Sequence, residues 1–177
     1  MKKLGLRLGL AGVLPLAVMA IAAGPASAVA PTSVTSTGGL HVCQGTVLDV
    51  TADTDATGGK ILTATGEVCG AGTEATAVLT ANVEATVGCI TPPRSNEPRG
   101  LREVSTAVTA SETFETRQGR GTFDVATEGI TIEDFDFDCP SPNMIEVLVG
   151  PVTFTSIVLT ITSQTGSITA TFPDLDP

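Results

Sequence analysis

Tryptophan and tyrosine are absent, histidine occurs once and phenylalanine six times. Carbohydrate recognition would have to work by hydrogen bonds alone, because the rings that most often stack on sugars are missing. A single imidazole, His41, offers no His-based relay of the usual kind. No Gly-x-Ser-x-Gly elbow or Ser-x-x-Lys pair accompanies it. Paired carboxylates could run a glycosidase, yet the chain is short and shows no isolated acid in an apolar setting. Neither enzyme activity nor a cofactor is expected.

Basic charge is also scarce, with nine Lys and Arg against nineteen Asp and Glu. Lys2, Lys3 and Arg7 sit in the first 28 residues; beyond these, six basic side chains face nineteen acidic ones, a balance of −13. A field of that sign repels polyanions, which argues against nucleic acid and anionic membrane as partners.

The first 28 residues read as an export signal. Lys2, Lys3 and Arg7 make a positive start, Leu8 to Ala23 is uncharged and apolar, and Ala26-Ser27-Ala28 is the small-x-small pattern of a cleavage site. A retained anchor is the rival reading, opposed by the helix breakers Gly24 and Pro25. No Cys follows closely enough to carry a lipid, and Phe172 to Pro177 offers no hydrophobic tail. Cleavage after Ala28 and free release to the extracellular space are therefore expected, with no membrane anchoring afterwards.

In that oxidising setting an even set of cysteines, Cys43, Cys69, Cys89 and Cys139, points to two disulfides. Three connectivities are possible in principle. Leu48 and Val50 share one strand face, as do Leu62, Ala64 and Val68; pairing Val50 with Leu62 and Leu48 with Ala64 brings Cys43 opposite Cys69. The preferred bridges are then Cys43–Cys69 and Cys89–Cys139, which by chain entropy contribute about 3.5 and about 4 kcal/mol. A metal at Cys43 and His41 would need reduced thiols and further ligands.

Residues 29–38 lack charge and bulky apolar groups and suit a flexible lead-in or an edge strand. From residue 39 to 177 one domain is expected, and its dominant period is two. Ala75, Ala77, Leu79, Ala81, Val83, Ala85, Val87 and Cys89 are all apolar, while the positions between are mostly Thr, Asn and Glu. So long a strand calls for a bend or bulge near its middle. Val104, Val108, Ala110 and Phe114 share a face, and Gln118-Gly119-Arg120-Gly121 turns the chain into Thr122 to Thr127, which reads as a hairpin. Further strands are expected at Ile130 to Asp138, Ile145 to Val149, Val152 to Ser163 and Ser167 to Phe172. No segment has a convincing helical period. The 28 threonines suit outward positions on a pleated surface, and the six Phe suit the core. The fold expected is all-β: an antiparallel two-sheet β-sandwich stapled by two disulfides, with an irregular β-barrel as second choice.

Three clusters carry candidate chemistry. Asp134, Asp136 and Asp138 would share a strand face and could hold calcium, or could simply keep a sticky edge solvated. Asp53-Thr54-Asp55-Ala56-Thr57-Gly58 has the opening of a calcium loop, but its twelfth position is Ala64, so a hairpin turn explains it as well. Arg94, Arg99, Arg102, Arg117 and Arg120 fall close together; they could meet an anionic partner or pair with Glu97, Glu103, Glu112 and Glu115.

The segment Cys89 to Gly100, with Pro92, Pro93, Arg94 and Ser95, reads as a long stiffened loop. The Cys89–Cys139 bridge would set it beside Pro140, Pro142, Asn143 and Met144. Rigid loops next to a disulfide can be offered to a protease, with Arg94 or Met144 entering its pocket; prolines also merely stop strands. The leading expectation is a secreted, non-enzymatic structural or interaction module whose partner is another extracellular protein. A protease inhibitor and a calcium-dependent binding module are the alternatives.

Overall fold

Alternation of small or β-branched apolar residues with hydroxyl and acidic ones produces strands almost everywhere in the described chain. The structure, a computed structural model, describes residues 27–177 except 93 and 94, and at 95 and 96 the backbone alone. The export signal therefore falls almost wholly outside the described residues. The strands are β1 (Ser33–Gly38), β2 (His41–Val42), β3 (Asp49–Thr54), β4 (Lys60–Cys69), β5 (Glu74–Thr91), β6 (Ser95–Glu115), β7 (Arg120–Ala126), β8 (Ile145–Ser163) and β9 (Gly166–Thr171). Among the described residues a single 3₁₀ turn covers Ile132–Asp134.

All ladders are antiparallel and fall into two sheets. The larger runs β1-β9-β8-β5-β6; in the smaller, β4 is flanked by β2 and β3 along one edge and by β7 along the other. One core joins them: Leu79, Val83, Phe154, Leu159, Ile161 and Ile168 from the larger sheet meet Val50, Leu62, Val68, Phe123 and Val125 from the smaller. This is an all-β fold of two antiparallel sheets with two disulfides. Residues 33–38 form the edge strand β1, paired with β9 from Ser33↔Thr171 to Gly38↔Gly166.

Both disulfides join the expected cysteines, Cys43 to Cys69 and Cys89 to Cys139. The register behind the first differs from the sequence expectation. Val50 faces Ala64 and Ala52 faces Leu62, two residues away from the expected pairing, while His41 faces Cys69. Residues 43–48 leave the ladder between β2 and β3, with Thr46 hydrogen-bonded back to the Cys43 carbonyl through its N–H (3.1 Å) and Oγ1 (2.8 Å). That loop absorbs the mismatch and lets Cys43 reach Cys69 diagonally.

The irregularity expected inside the long strand β5 lies instead in its neighbours. Pairing of β5 with β6 is unbroken from Glu74↔Glu115 to Val87↔Arg102, and then β6 carries an extra residue around Gly100. On the other side β8 bulges at Ser156 and again at Gly150-Pro151. Gly100, Gly150 and Ser156 all have positive φ, which a bulge of this kind requires and which glycine adopts without strain. The same bulge fuses the two separate strands expected at 145–149 and 152–163 into β8. The central strand is buried on its core face along its whole length, so it has little freedom to bend.

Three further expectations are corrected. A tight turn forms one residue earlier than expected, at Arg117-Gln118-Gly119-Arg120, with Gln118 and Gly119 at φ 56° and 75°. Beyond Arg117↔Arg120 its strands part: β6 stays with β5 and β7 crosses to β4. Parting places Phe114 and Phe123 in contact within the core, ring centroids 5.6 Å apart, instead of side by side on one sheet.

The strand expected at Ile130 to Asp138 is not one. Ile130 makes an isolated bridge to Lys60, and Asp134 Oδ2 then accepts from the Thr131 N–H (2.7 Å) and from Thr131 Oγ1 (3.2 Å). This local side-chain bond competes with a ladder and winds the 3₁₀ turn. Finally, the long loop expected at Cys89 to Gly100 is mostly strand among its described residues: Cys89 faces Arg99 and Thr91 faces Ser95.

The face of the larger sheet turned away from the core has an ordered composition. One row across its five strands reads Thr37, Ser167, Thr162, Thr76, Thr113, and the next reads Thr35, Thr169, Thr160, Val78, Ser111. Hydroxyls in these rows bond one another, as in Thr37–Ser167 (2.9 Å) and Thr76–Thr113 (3.1 Å).

Candidate docking surface at the disulfide-clamped end

At the opposite end of that face the alternation fails. Val87-Gly88-Cys89-Ile90 is apolar at four successive positions, so the end of β5 has apolar groups on both faces. Val87 and Cys89 point to the core side, where Cys89 bonds Cys139 with a Cα separation of 5.9 Å. This bridge pins the 131–144 segment, which returns from the smaller sheet, against the end of β5. Cys89 also faces Arg99 and Glu146, and Glu146 Oε1 accepts from the Cys139 N–H (3.2 Å).

Gly88 and Ile90 point the other way. Gly88 is buried because Leu101 and Pro98 of β6 lie over it: a Cβ at position 88 would stand 2.9 Å from Leu101 Cδ2 and 3.2 Å from Pro98 Cβ. On the other flank, Val147 faces Gly88 and Ile145 faces Ile90. Ile90, Pro98, Leu101, Ile145 and Val147 thus form an apolar patch on the outward face. Leu101 is 59% exposed and Ile145 53%, two of the four large apolar side chains exposed among the described residues. Burial of such groups in water-free contact is worth about 25 cal/mol per Å², so contiguous exposed ones mark contact surfaces.

Both proline-bearing segments lie beside this patch, because the Ile90↔Ile145 pair adjoins each of them. Pro92 is exposed at the end of β5. Pro93 and Arg94 lie outside the described residues, and Ser95 begins β6 with its side chain not described. Pro140, Pro142 and Asn143 are exposed. Met144 is half-buried, its N–H donating to the Ser141 carbonyl (3.0 Å) in a tight turn. Arg99 and Arg102 are exposed at the same end. Of the basic cluster, Arg120 pairs with Glu67 of β4 (3.1 Å) and not with an acid near it in sequence. Strand register explains this, since Arg120 pairs with Cys69, two residues from Glu67.

The remaining candidates are placed elsewhere. Asp134, Asp136 and Asp138 are exposed but share no strand face, since the strand that would align them is absent and Asp134 is engaged with Thr131. No group of three or more His, Cys, Asp or Glu among the described residues is placed to hold a metal ion. Asp55 serves its own hairpin turn: Oδ1 accepts from the Thr57 N–H (2.8 Å), Thr57 Oγ1 (2.6 Å) and the Gly59 N–H (2.9 Å). The Thr57 hydroxyl, then the backbone donors, hold its carboxyl below the usual Asp range. His41 is exposed on β2, with Nδ1 2.9 Å from the Gly39 carbonyl oxygen.

Below the patch, the Gly150-Pro151 bulge borders an open groove of about 450 Å³ with Glu84, Glu103, Thr86 and Ser105 at its walls. Glu84 accepts from Thr155 Oγ1 (3.1 Å), so its carboxylate is part of the hydroxyl-lined surface. The apolar patch was missed in sequence reasoning, although the run at 87–90 and the Ile-Glu-Val-Leu-Val run at 145–149 carry its signal. Comparison of the chain with protein-family models, curated proteins and solved structures finds no match in any of the three.

Within the described residues no helix is long and apolar enough to cross a membrane. The two disulfides suit an oxidising extracellular compartment.

Proposed function

We propose that this is a secreted, non-enzymatic β-protein that works outside the cell as an interaction module, and that it docks through the disulfide-clamped end. The observation that carries this reading is the apolar patch of Ile90, Pro98, Leu101, Ile145 and Val147 beside the Cys89–Cys139 bridge. Elsewhere the outward face of the same sheet carries mostly hydroxyl and carboxylate groups, so a cluster of exposed aliphatic groups here is a local exception. The aliphatic groups of the patch select the partner's chemistry: a protein surface offering aliphatic side chains of its own. A disulfide and prolines hold the contact residues in place and lower the entropy lost on binding.

The test is capture from the native extracellular fraction by the immobilised chain, alongside a Leu101→Asp/Ile145→Asp variant. A partner retained by the first and lost by the second supports the reading. Equal capture by both, or reproducible turnover of a simple substrate, would sink it.

Protease inhibition is a second reading, favoured by the exposed Pro92 and the exposed Pro142-Asn143 lying at the same end of the sheet, on either side of the Ile90↔Ile145 pair. Titration against a trypsin-like and a subtilisin-like protease would give stoichiometric inhibition, abolished by Arg94→Asp or Met144→Asp. Plain digestion or indifference ends this second reading without touching the first.

A further inference from the structure

β6 is the longest strand among the described residues, spanning Ser95–Glu115, and it lies at the edge of the larger sheet with β5 as its sole ladder partner. Half of the backbone N–H and C=O groups of an edge strand point away from the sheet, and exposed edges of this kind pair with other strands unless they are blunted. β6 is blunted only near its ends, by Pro98, Gly100, Arg102 and Glu103 on one side and Glu112 and Glu115 on the other. Between them Val104-Ser105-Thr106-Ala107-Val108-Thr109-Ala110-Ser111 has no charge, proline or glycine, and its composition favours strand. The smaller sheet does not seal this stretch. Val108 to Ser111 and Ala126 to Ile130 border an open groove of about 420 Å³. The opposite edge, β1, offers only six residues and ends at Gly38.

We propose that two copies of the chain pair antiparallel along β6, joining their larger sheets into one continuous ten-stranded sheet. Charge complementarity identifies the occupant as a second copy and sets the register. In a two-fold pair, residues directly opposite share a face. Centring the axis on Ala107 places Arg102 of each copy opposite Glu112 of the other. Arg102 is exposed, and Glu112 uses Oε2 to accept the Asp124 N–H (2.9 Å), leaving Oε1 for a guanidinium. The same register sets Ser105 opposite Thr109 and Val104 opposite Ala110, and opposes no like charges between 102 and 112. Moving the axis by one residue puts Arg102 opposite Ala110 or Phe114, and both ion pairs vanish. This surface is distinct from the apolar patch, so the pairing stands or falls independently of the docking role.

Sedimentation of the purified, oxidised chain over about 1 μM to about 1 mM tests the pairing. The mass is expected to double with concentration. Ala107→Lys sets two ammonium groups face to face at an exposed position and is expected to leave a monomer throughout, with an unchanged thermal midpoint showing that it folds. Arg102→Glu is expected to weaken association at least about tenfold, and Arg102→Glu/Glu112→Arg to restore it. A wild-type chain that stays monomeric over the whole range overturns the proposal, as does a dimer indifferent to Ala107→Lys.

Discussion

The two ends of the outward face of the larger sheet are built on the same strands and behave differently. At one end, the row Thr37, Ser167, Thr162, Thr76 and Thr113 presents hydroxyls, which bond across strands in the Thr37–Ser167 and Thr76–Thr113 pairs. At the clamped end, Ile90, Leu101, Ile145 and Val147 present bare hydrocarbon around a glycine. The first half needs nothing beyond solvent. The second leaves apolar surface in water, held by a disulfide rather than by the smaller sheet. A region whose stability comes from a covalent clamp is free to expose contact groups; a region held by core packing alone is kept polar outside.

Removing the clamps is expected to separate the two ends. The largest effect is expected for Cys89→Ser/Cys139→Ser, a loss of about 4 kcal/mol in denaturant unfolding, against about 3.5 kcal/mol for Cys43→Ser/Cys69→Ser. Only the first should also expose amides of the 131–144 segment to hydrogen exchange. Equal protection of that segment in both variants would break the comparison.

Next in size is Gly88→Val. Its Cβ would meet Leu101 and Pro98 inside ordinary contact distance, so a destabilisation of about 2 kcal/mol is expected, read as a lowered thermal midpoint. Thr160→Val in the hydroxylated half should stay within about 0.5 kcal/mol.

A smaller change in stability, under about 1 kcal/mol, is expected for Leu101→Ser/Ile145→Ser, because both side chains are already largely in water. Binding of an apolar fluorescent dye should nevertheless fall sharply. Dye binding left intact would place the sticky surface elsewhere.

The least effect belongs to the turn at Asp55, remote from both halves. Its carboxyl is held below the ordinary Asp range in the folded state, chiefly by Thr57. The stabilisation it provides is therefore complete above the unfolded-state pKa and is lost as the pH falls through the lower folded one. Asp55→Asn should flatten the acid limb of the stability profile below about pH 4, and urea unfolding across that range would detect it. An unchanged acid limb would assign the carboxylate no part in acid stability.

Much of this was legible in the residues. Alternation from Ala75 to Cys89 set the core face of β5, and all eight of those apolar positions are buried. The cysteine pairs followed from which residues can lie opposite one another, even though the register used to reach Cys43–Cys69 was two residues off. The errors share a cause. The 3₁₀ turn at Ile132–Asp134 depends on one side chain, Asp134, capturing the Thr131 N–H before a neighbouring strand can. The parting of β6 from β7 depends on where Phe114 and Phe123 must go, which is a property of two sheets and not of one hairpin.

Period-two patterning and cysteine count determined by themselves that the chain is an all-β protein with two bridges, because strand alternation and disulfide reach are local rules acting on neighbouring side chains. Only the tertiary structure decided which strands share a sheet, which strand is left as a bare edge and where aliphatic groups gather on the outside. Those outcomes depend on how two sheets cover each other, and at the end of β5 the smaller sheet gives way to a loop that must be tied down by sulfur.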